Sequence, residues 1–198
     1  TISSAGIVTF KDDILIKDAG TIGSASDADA ITIASDGKVT LAEIATAAKG
    51  VAFPATQVAS ANANTLDDYE EGTFTPALSF GGATTGISYS NQSGFYTKIG
   101  RLCKIDFRLT LTSKGSASGV ALLTGLPFTA ADITSPGSSI ISYGANFASG
   151  YNPPDAAFAA SGDSATATIY TTFGGSSLTN SQFNNNTDFI GSLTYHTA

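Results

Sequence analysis

Residues 102–113 read LCKIDFRLTLTS. Cys103, Ile105, Phe107, Leu109 and Leu111 fall on one face of an extended chain, and Lys104, Asp106, Arg108, Thr110 and Thr112 on the other. Period-two alternation over this length specifies a strand with one buried face. It also makes Cys103, the chain's single cysteine, a core thiol rather than a nucleophile. In TFTPALSF, residues 73–80, Phe74, Leu78 and Phe80 alternate with Thr75, Ala77 and Ser79. Further strands are expected near 85–90, 120–124, 139–147, 165–173 and 187–195, separated by Gly, Asn, Ser and Pro clusters. The fold class read from this is all-β, with residues 73–198 forming a β-sandwich or jelly-roll-like head.

Composition agrees. Gly contributes 21 of 198 residues, and charged residues make up 13%, about half of the roughly 25% of an ordinary globular chain. Long helices are disfavoured because Leu, Glu, Lys and Arg are scarce. A net charge of −7 argues against nucleic acid as a partner, since phosphate contacts need clustered cations. No apolar run approaches the roughly 20 residues of a membrane helix, so no membrane insertion is expected. One cysteine allows no intrachain disulfide. The chain starts at Thr1 and has no Met, which suggests a fragment of a longer polypeptide.

Upstream, residues 1–53 carry a loose repeat: TISSAGIV at 1–8, LIKDAGTI at 15–22 and TIASDGKV at 32–39. Each reads as a strand ending at Ile, a polar turn and a new strand, with Gly6, Gly20 and Gly37 expected to supply positive φ. So short a segment cannot bury its Ile, Val, Leu and Phe residues alone, so oligomerisation is expected to complete it as a β-rich shaft. Residues 54–72 form a junction. There Asp67, Asp68, Glu70 and Glu71 crowd into five positions of TLDDYEEGTFTP, residues 65–76. Asn64 as a cap, Asp67 and Asp68 in the first turn and Gly72 as terminator suggest a short helix. A solvated acidic linker is the alternative. The spacing does not match a calcium loop.

Chemistry-bearing residues are sparse. His196 is the single histidine, which leaves a Ser-His-Asp triad or a zinc site without support, and no catalytic residue, metal or cofactor is assigned. Beyond Glu71 the carboxylates are Asp106, Asp132, Asp155, Asp163 and Asp188. Asp106 is expected to pair with Lys104 or Arg108, and the others to act as local caps. The last 84 residues contain no Lys or Arg but carry Tyr143, Tyr151, Tyr170 and Tyr195 among many Asn, Ser and Thr. Such a surface suits glycan recognition, in which sugar faces stack on rings and amides pair with hydroxyls; equally, it suits a subunit interface. The loop YGANFASGYNPPD, 143–155, offers Tyr143, Asn146, Tyr151, Asn152 and Asp155 as candidate glycan contacts.

Taken in order, GSASDADAITIASDGKVT, KGVAFPATQVASANAN, the acidic junction, GFYTKIGRLCKIDFRLTLTSKG and TGLPF resemble the tail-fibre and tailspike proteins of tailed bacteriophages. The resemblance spans roughly residues 20–128. It implies a homotrimer on the virion, with a shaft joined to the rest of the tail through a missing N-terminus and a distal head that attaches to host surface polysaccharide. Its motifs are architectural, so no functional residue is carried over. Some members carry depolymerase domains, usually long parallel β-helices, for which this chain has no room. Two other readings stay open: a glycan depolymerase using Asp155 with Asp163 or Asp188 in an intersubunit groove, and a purely structural trimerisation knob.

Overall fold

The computed structural model describes residues 15–17, 19–24, 26–42, 45, 47, 49–54, 56, 65, 66, 68–132, 139–148, 156–160, 162–171 and 175–198. The chain divides into two compact units, Thr1–Ala52 and Phe53–Ala198. All sheets are antiparallel, and the described residues contain no α-helix.

The first unit is a meander of three short strands, β1 (Gly20–Ile22), β2 (Ile31–Ile33) and β3 (Val39–Leu41). Within TIASDGKV, Ile33 ends β2 and Val39 opens β3. Gly37 takes φ 82° in the turn between them, as its missing Cβ allows. Gly20 behaves differently from expectation. It is the first residue of β1, and the left-handed conformation falls on Ala19, at φ 59°. Gly6 lies outside the described residues. Leu15, Ile22, Val39 and Leu41 are all exposed, Leu15 at 93%. Three strands of three residues each enclose no core among the described residues of this unit.

The second unit is a sandwich. Its larger sheet has the order β4-β6-β7-β12-β9, formed by β4 (Tyr69–Phe74), β6 (Ile87–Ile99), β7 (Leu102–Lys114), β12 (Asp188–His196) and β9 (Ser139–Ala145). Its smaller sheet has the order β10-β11-β8-β5, formed by β10 (Ala156–Ala160), β11 (Thr166–Thr171), β8 (Ala121–Thr124) and β5 (Ala77–Phe80). One apolar cluster fills the space between them. Cys103, Ile105, Phe107, Leu109 and Leu111 enter it from β7, Phe189, Leu193 and Tyr195 from β12, and Leu78, Leu123, Phe158 and Ile169 from the smaller sheet. Gly191 makes this packing possible. A Cβ there would lie 2.7 Å from Phe107 and 2.9 Å from Phe158, whose rings meet edge to face at 5.4 Å.

The alternation in 102–113 therefore has the expected register, and burial raises the Cys103 thiol pKa. We expect no labelling of Cys103 by a thiol reagent until denaturant is added. Rapid labelling of the folded protein would contradict this register.

Elsewhere the structure departs from expectation. The short helix expected within 54–72 does not form over its described part, because Tyr69–Gly72 belongs to β4. Six backbone pairings to β6 hold β4, and they outweigh a cap that a one-turn helix would need. TFTPALSF is two strands in two different sheets, β4 and β5, parted at Thr75–Pro76. Pro76 has no N–H to continue a ladder. β6 runs to Ile99, well past the expected 90, with register shifts around Tyr89. β10 had no expected counterpart, since AAFAA holds one large apolar residue.

Candidate functional site

The acidic stretch becomes intelligible in β4. Residues directly opposite each other in an antiparallel pair point to the same side. Glu70 opposes Lys98, Gly72 opposes Tyr96 and Phe74 opposes Gly94. Asp68, just before the strand, is buried and ion-paired to the buried Lys98 Nζ. The Glu70 carboxylate accepts the Tyr96 hydroxyl proton at 2.5 Å, which pushes the Tyr96 pKa up to about 12. Gly72 leaves room for the Tyr96 ring and Gly94 for the Phe74 ring; a Cβ would approach them to 2.9 Å and 2.3 Å respectively. Lys98 also lies 5.3 Å from the centre of the Phe128 ring, a cation–π distance. Together Thr56, Asp68, Glu70, Lys98, Phe128, Thr129 and Thr197 line a cavity of about 330 Å³ at this end of the sandwich. Two of the four crowded acids are thus part of a buried polar cluster.

The outer face of the larger sheet presents a second arrangement, set by register. One row across the strands is Tyr69, Ile99, Leu102 and His196, and the next is Glu71, Thr97, Lys104 and Thr194. Then come Thr73, Phe95, Asp106, Ser192 and Ile140, followed by Ser93, Arg108, Ile190 and Tyr143. Tyr69, Phe95, Ile99, Leu102, Ile140 and Tyr143 are all exposed large side chains on this face, Phe95 at 63%. Lys104 and Asp106 pair with each other on it.

Asp188, expected to be a local cap, does something else. It accepts from Arg108 Nε at 3.1 Å, Arg108 Nη2 at 2.7 Å and the Thr110 hydroxyl at 2.8 Å, bridging β12 to β7. The Arg108 bonds hold its carboxyl below the usual range, against a smaller opposing effect of desolvation. A depressed folded pKa adds stability above the ordinary value of 3.8, and that contribution is lost as pH falls through the folded value. The acid-side loss of stability should therefore be shallower in Asp188→Asn than in the parent. Equal slopes in unfolding titrations from pH 5 down to pH 2 would show that the bridge contributes nothing.

Of the candidate glycan contacts, Tyr143 lies on the outer face opposite Ile190. Asn146 is structural at both ends. At φ 59° it donates its amide to the Asn186 carbonyl, while its own carbonyl accepts from Asn184 and Thr187. Tyr151, Asn152 and Asp155 lie outside the described residues, so the loop's two described members are not shown converging with them. Asp163 occupies a turn at φ 55°, its N–H donating to the Ala130 carbonyl. Among the described residues, no group of three or more His, Cys, Asp or Glu is placed to hold a metal ion. No helix there is long and apolar enough to cross a membrane.

A solved structure shares this architecture. The crystal structure of the Dettilon tailspike protein superposes with a TM-score of 0.53 at 22% identity, over 65% of this chain and 24% of the tailspike. Over the matched residues the fold is similar to part of that phage tailspike. The chain spans about a quarter of that tailspike's length. No family model matches the chain, and no curated protein does.

The sequence reading missed the two cross-strand ion pairs and the exposed Tyr69–Ile99–Leu102 row. A signal for the first was present. Asp68 and Glu70 stand two apart, the spacing of one strand face, before a Gly and a Phe that continue the same alternation.

Proposed function

We propose that this chain is the receptor-binding part of a phage tail fibre or tailspike, a homotrimer that attaches the virion to a host surface polysaccharide. The observation that carries the reading is the fold likeness to the Dettilon tailspike protein. An exposed outer face bearing Tyr143, and the exposed Leu15, Ile22, Val39 and Leu41 of the first unit, support it further. The glycan contacts are proposed at Tyr143, Asn146, Tyr151, Asn152 and Asp155. Rings serve as stacking platforms, and Pro153–Pro154 restricts the backbone so that less entropy is lost on binding. Asn146 contributes by fixing the loop's first turn through Asn186.

The test is adsorption to host cells with purified protein as competitor, together with incubation on host polysaccharide. Tyr151→Ala should remain assembled and melt within a few degrees of the parent while losing competition. Retained competition, or loss of assembly, would make the loop structural. Shortening of the polysaccharide would mark a depolymerase instead. Asp188 is poorly suited to that role because its carboxylate is bound by Arg108 and Thr110.

A further inference from the structure

We infer that the β4–β6–β7 half of the larger sheet's outer face docks against a second copy of this chain, with Arg101 of one copy meeting Glu71 of the other. The inference rests on the homotrimer reading above and adds the surface and the charge pair.

Exposed apolar side chains are concentrated here. Tyr69, Ile99 and Leu102 stand side by side in one row, and Phe95 stands two rows on. Shallow cavities flank them, about 340 Å³ lined by Thr97, Ile99, Leu102 and Lys104, and about 200 Å³ beside Phe95 and Ile190. Exposed apolar side chains gathered in this way on a folded surface mark an interaction site.

Charge selects the occupant. Among the described cations of the sandwich, Lys98, Lys104 and Arg108 each have a carboxylate partner, and Lys114 donates to the Asn180 carbonyl. Arg101 makes no ion pair among the described residues. It is exposed in the turn between β6 and β7, next to Leu102. Glu71 is the complement. It lies exposed on the edge strand, one row from Tyr69, and its carboxylate accepts the Tyr69 hydroxyl rather than a cation. The patch therefore carries one cation and one anion left over, while Lys104 and Asp106 neutralise each other. In a closed ring each copy gives its Arg101 to one neighbour and its Glu71 to the other, so both are satisfied. A strongly acidic or strongly basic partner would satisfy one and repel the other. Copies associating head to tail around an axis would make this contact once per neighbour and close into a ring.

The experiment uses the full chain. Mass is measured by sedimentation over a concentration series, with circular dichroism to verify the β fold. The parent should have a multiple of the 20.0 kDa single-chain mass. Phe95→Asp should run at the single-chain mass with an unchanged spectrum, since so exposed a residue does not hold the fold. Arg101→Glu should raise the dissociation constant by about tenfold, as a like-charge contact replaces an attractive one. The double exchange Arg101→Glu with Glu71→Arg should recover most of that loss. An assembled parent whose mass is unaffected by Phe95→Asp, or a double exchange no better than Arg101→Glu, overturns the assignment of this face and leaves the homotrimer reading standing. A parent that stays at single-chain mass overturns both. If Phe95→Asp keeps its mass but no longer binds polysaccharide, the face belongs to the glycan and the inference fails.

Discussion

Lys98→Met is expected to lower the stability of the sandwich by about 3–5 kcal/mol, the usual result of removing one partner from a buried ion pair. Lys98 and Asp68 are 5% and 6% exposed, so neither charge has water to fall back on. Without the ammonium, the Asp68 carboxylate stays buried with Glu70 two residues along the same strand face. Glu70 cannot help, since its own oxygen is already engaged by the Tyr96 hydroxyl. Met also forfeits the cation–π contact with Phe128, about 0.5–2 kcal/mol in other proteins. The control is Asp68→Leu combined with Lys98→Met. Replacing both partners with apolar groups of similar size is often close to neutral, so the double variant should recover most of the loss in urea titration. A single variant that loses less than about 1 kcal/mol would mean that the pair behaves like an exposed one. The pair also anchors the end of β4 near the β6–β7 turn, where the Gly100 N–H donates to the Asp68 carbonyl at 2.9 Å. Lys98→Met should therefore speed hydrogen exchange in β4 before the rest of the sheet.

This pair also shows why part of the fold was legible and part was not. The β7 face was readable because its five apolar residues obey a local rule that no distant segment can alter. What Asp68 does depends on Lys98, thirty residues later, and what Asp188 does depends on Arg108, eighty residues earlier. Cross-strand register decides both, and composition of the segment itself does not encode it. The local signals for a helix at 65–72 were real, yet pairing with β6 overrode them. β10 escaped notice for the opposite reason. Ala-Ala-Phe-Ala-Ala has weak intrinsic strand preference and is held by its ladder to β11 and by the Phe158–Phe107 contact. At the candidate site, the 143–155 stretch reads as a loop, yet its first three residues, 143–145, belong to β9. The engagement of Asn146 by Asn184, Asn186 and Thr187 was not legible, because those partners lie some forty residues on.

Phe189→Ala should cost about 3–5 kcal/mol, as large aromatic truncations in closed cores do. Phe189 is fully buried and joins three other rings: Phe107 at 5.9 Å, Phe147 at 5.8 Å and Phe183 at 6.3 Å. Phe183 in turn packs 5.3 Å from Phe80 in the smaller sheet, so the chain of rings ties the two sheets together. Phe183 also ends the 3₁₀ turn Asn180–Gln182, whose capping box at Thr179 fixes the approach to β12. The cavity left by Ala has rigid walls, since Gly191 nearby is already filled by Phe107 and Phe158 and offers no side chain to collapse inward. Phe189→Leu keeps most of the volume and should cost under about 1.5 kcal/mol. Because Phe147 follows Asn146 at the start of the 143–155 loop, Phe189→Ala also loosens the segment that carries the proposed glycan contacts. Competition for host adsorption should weaken in Phe189→Ala and survive in Phe189→Leu. If both variants unfold at the same denaturant concentration as the parent, the ring cluster does not set the stability of the sandwich. If Phe189→Ala is destabilised yet competes as well as the parent, the loop does not depend on the core beneath it.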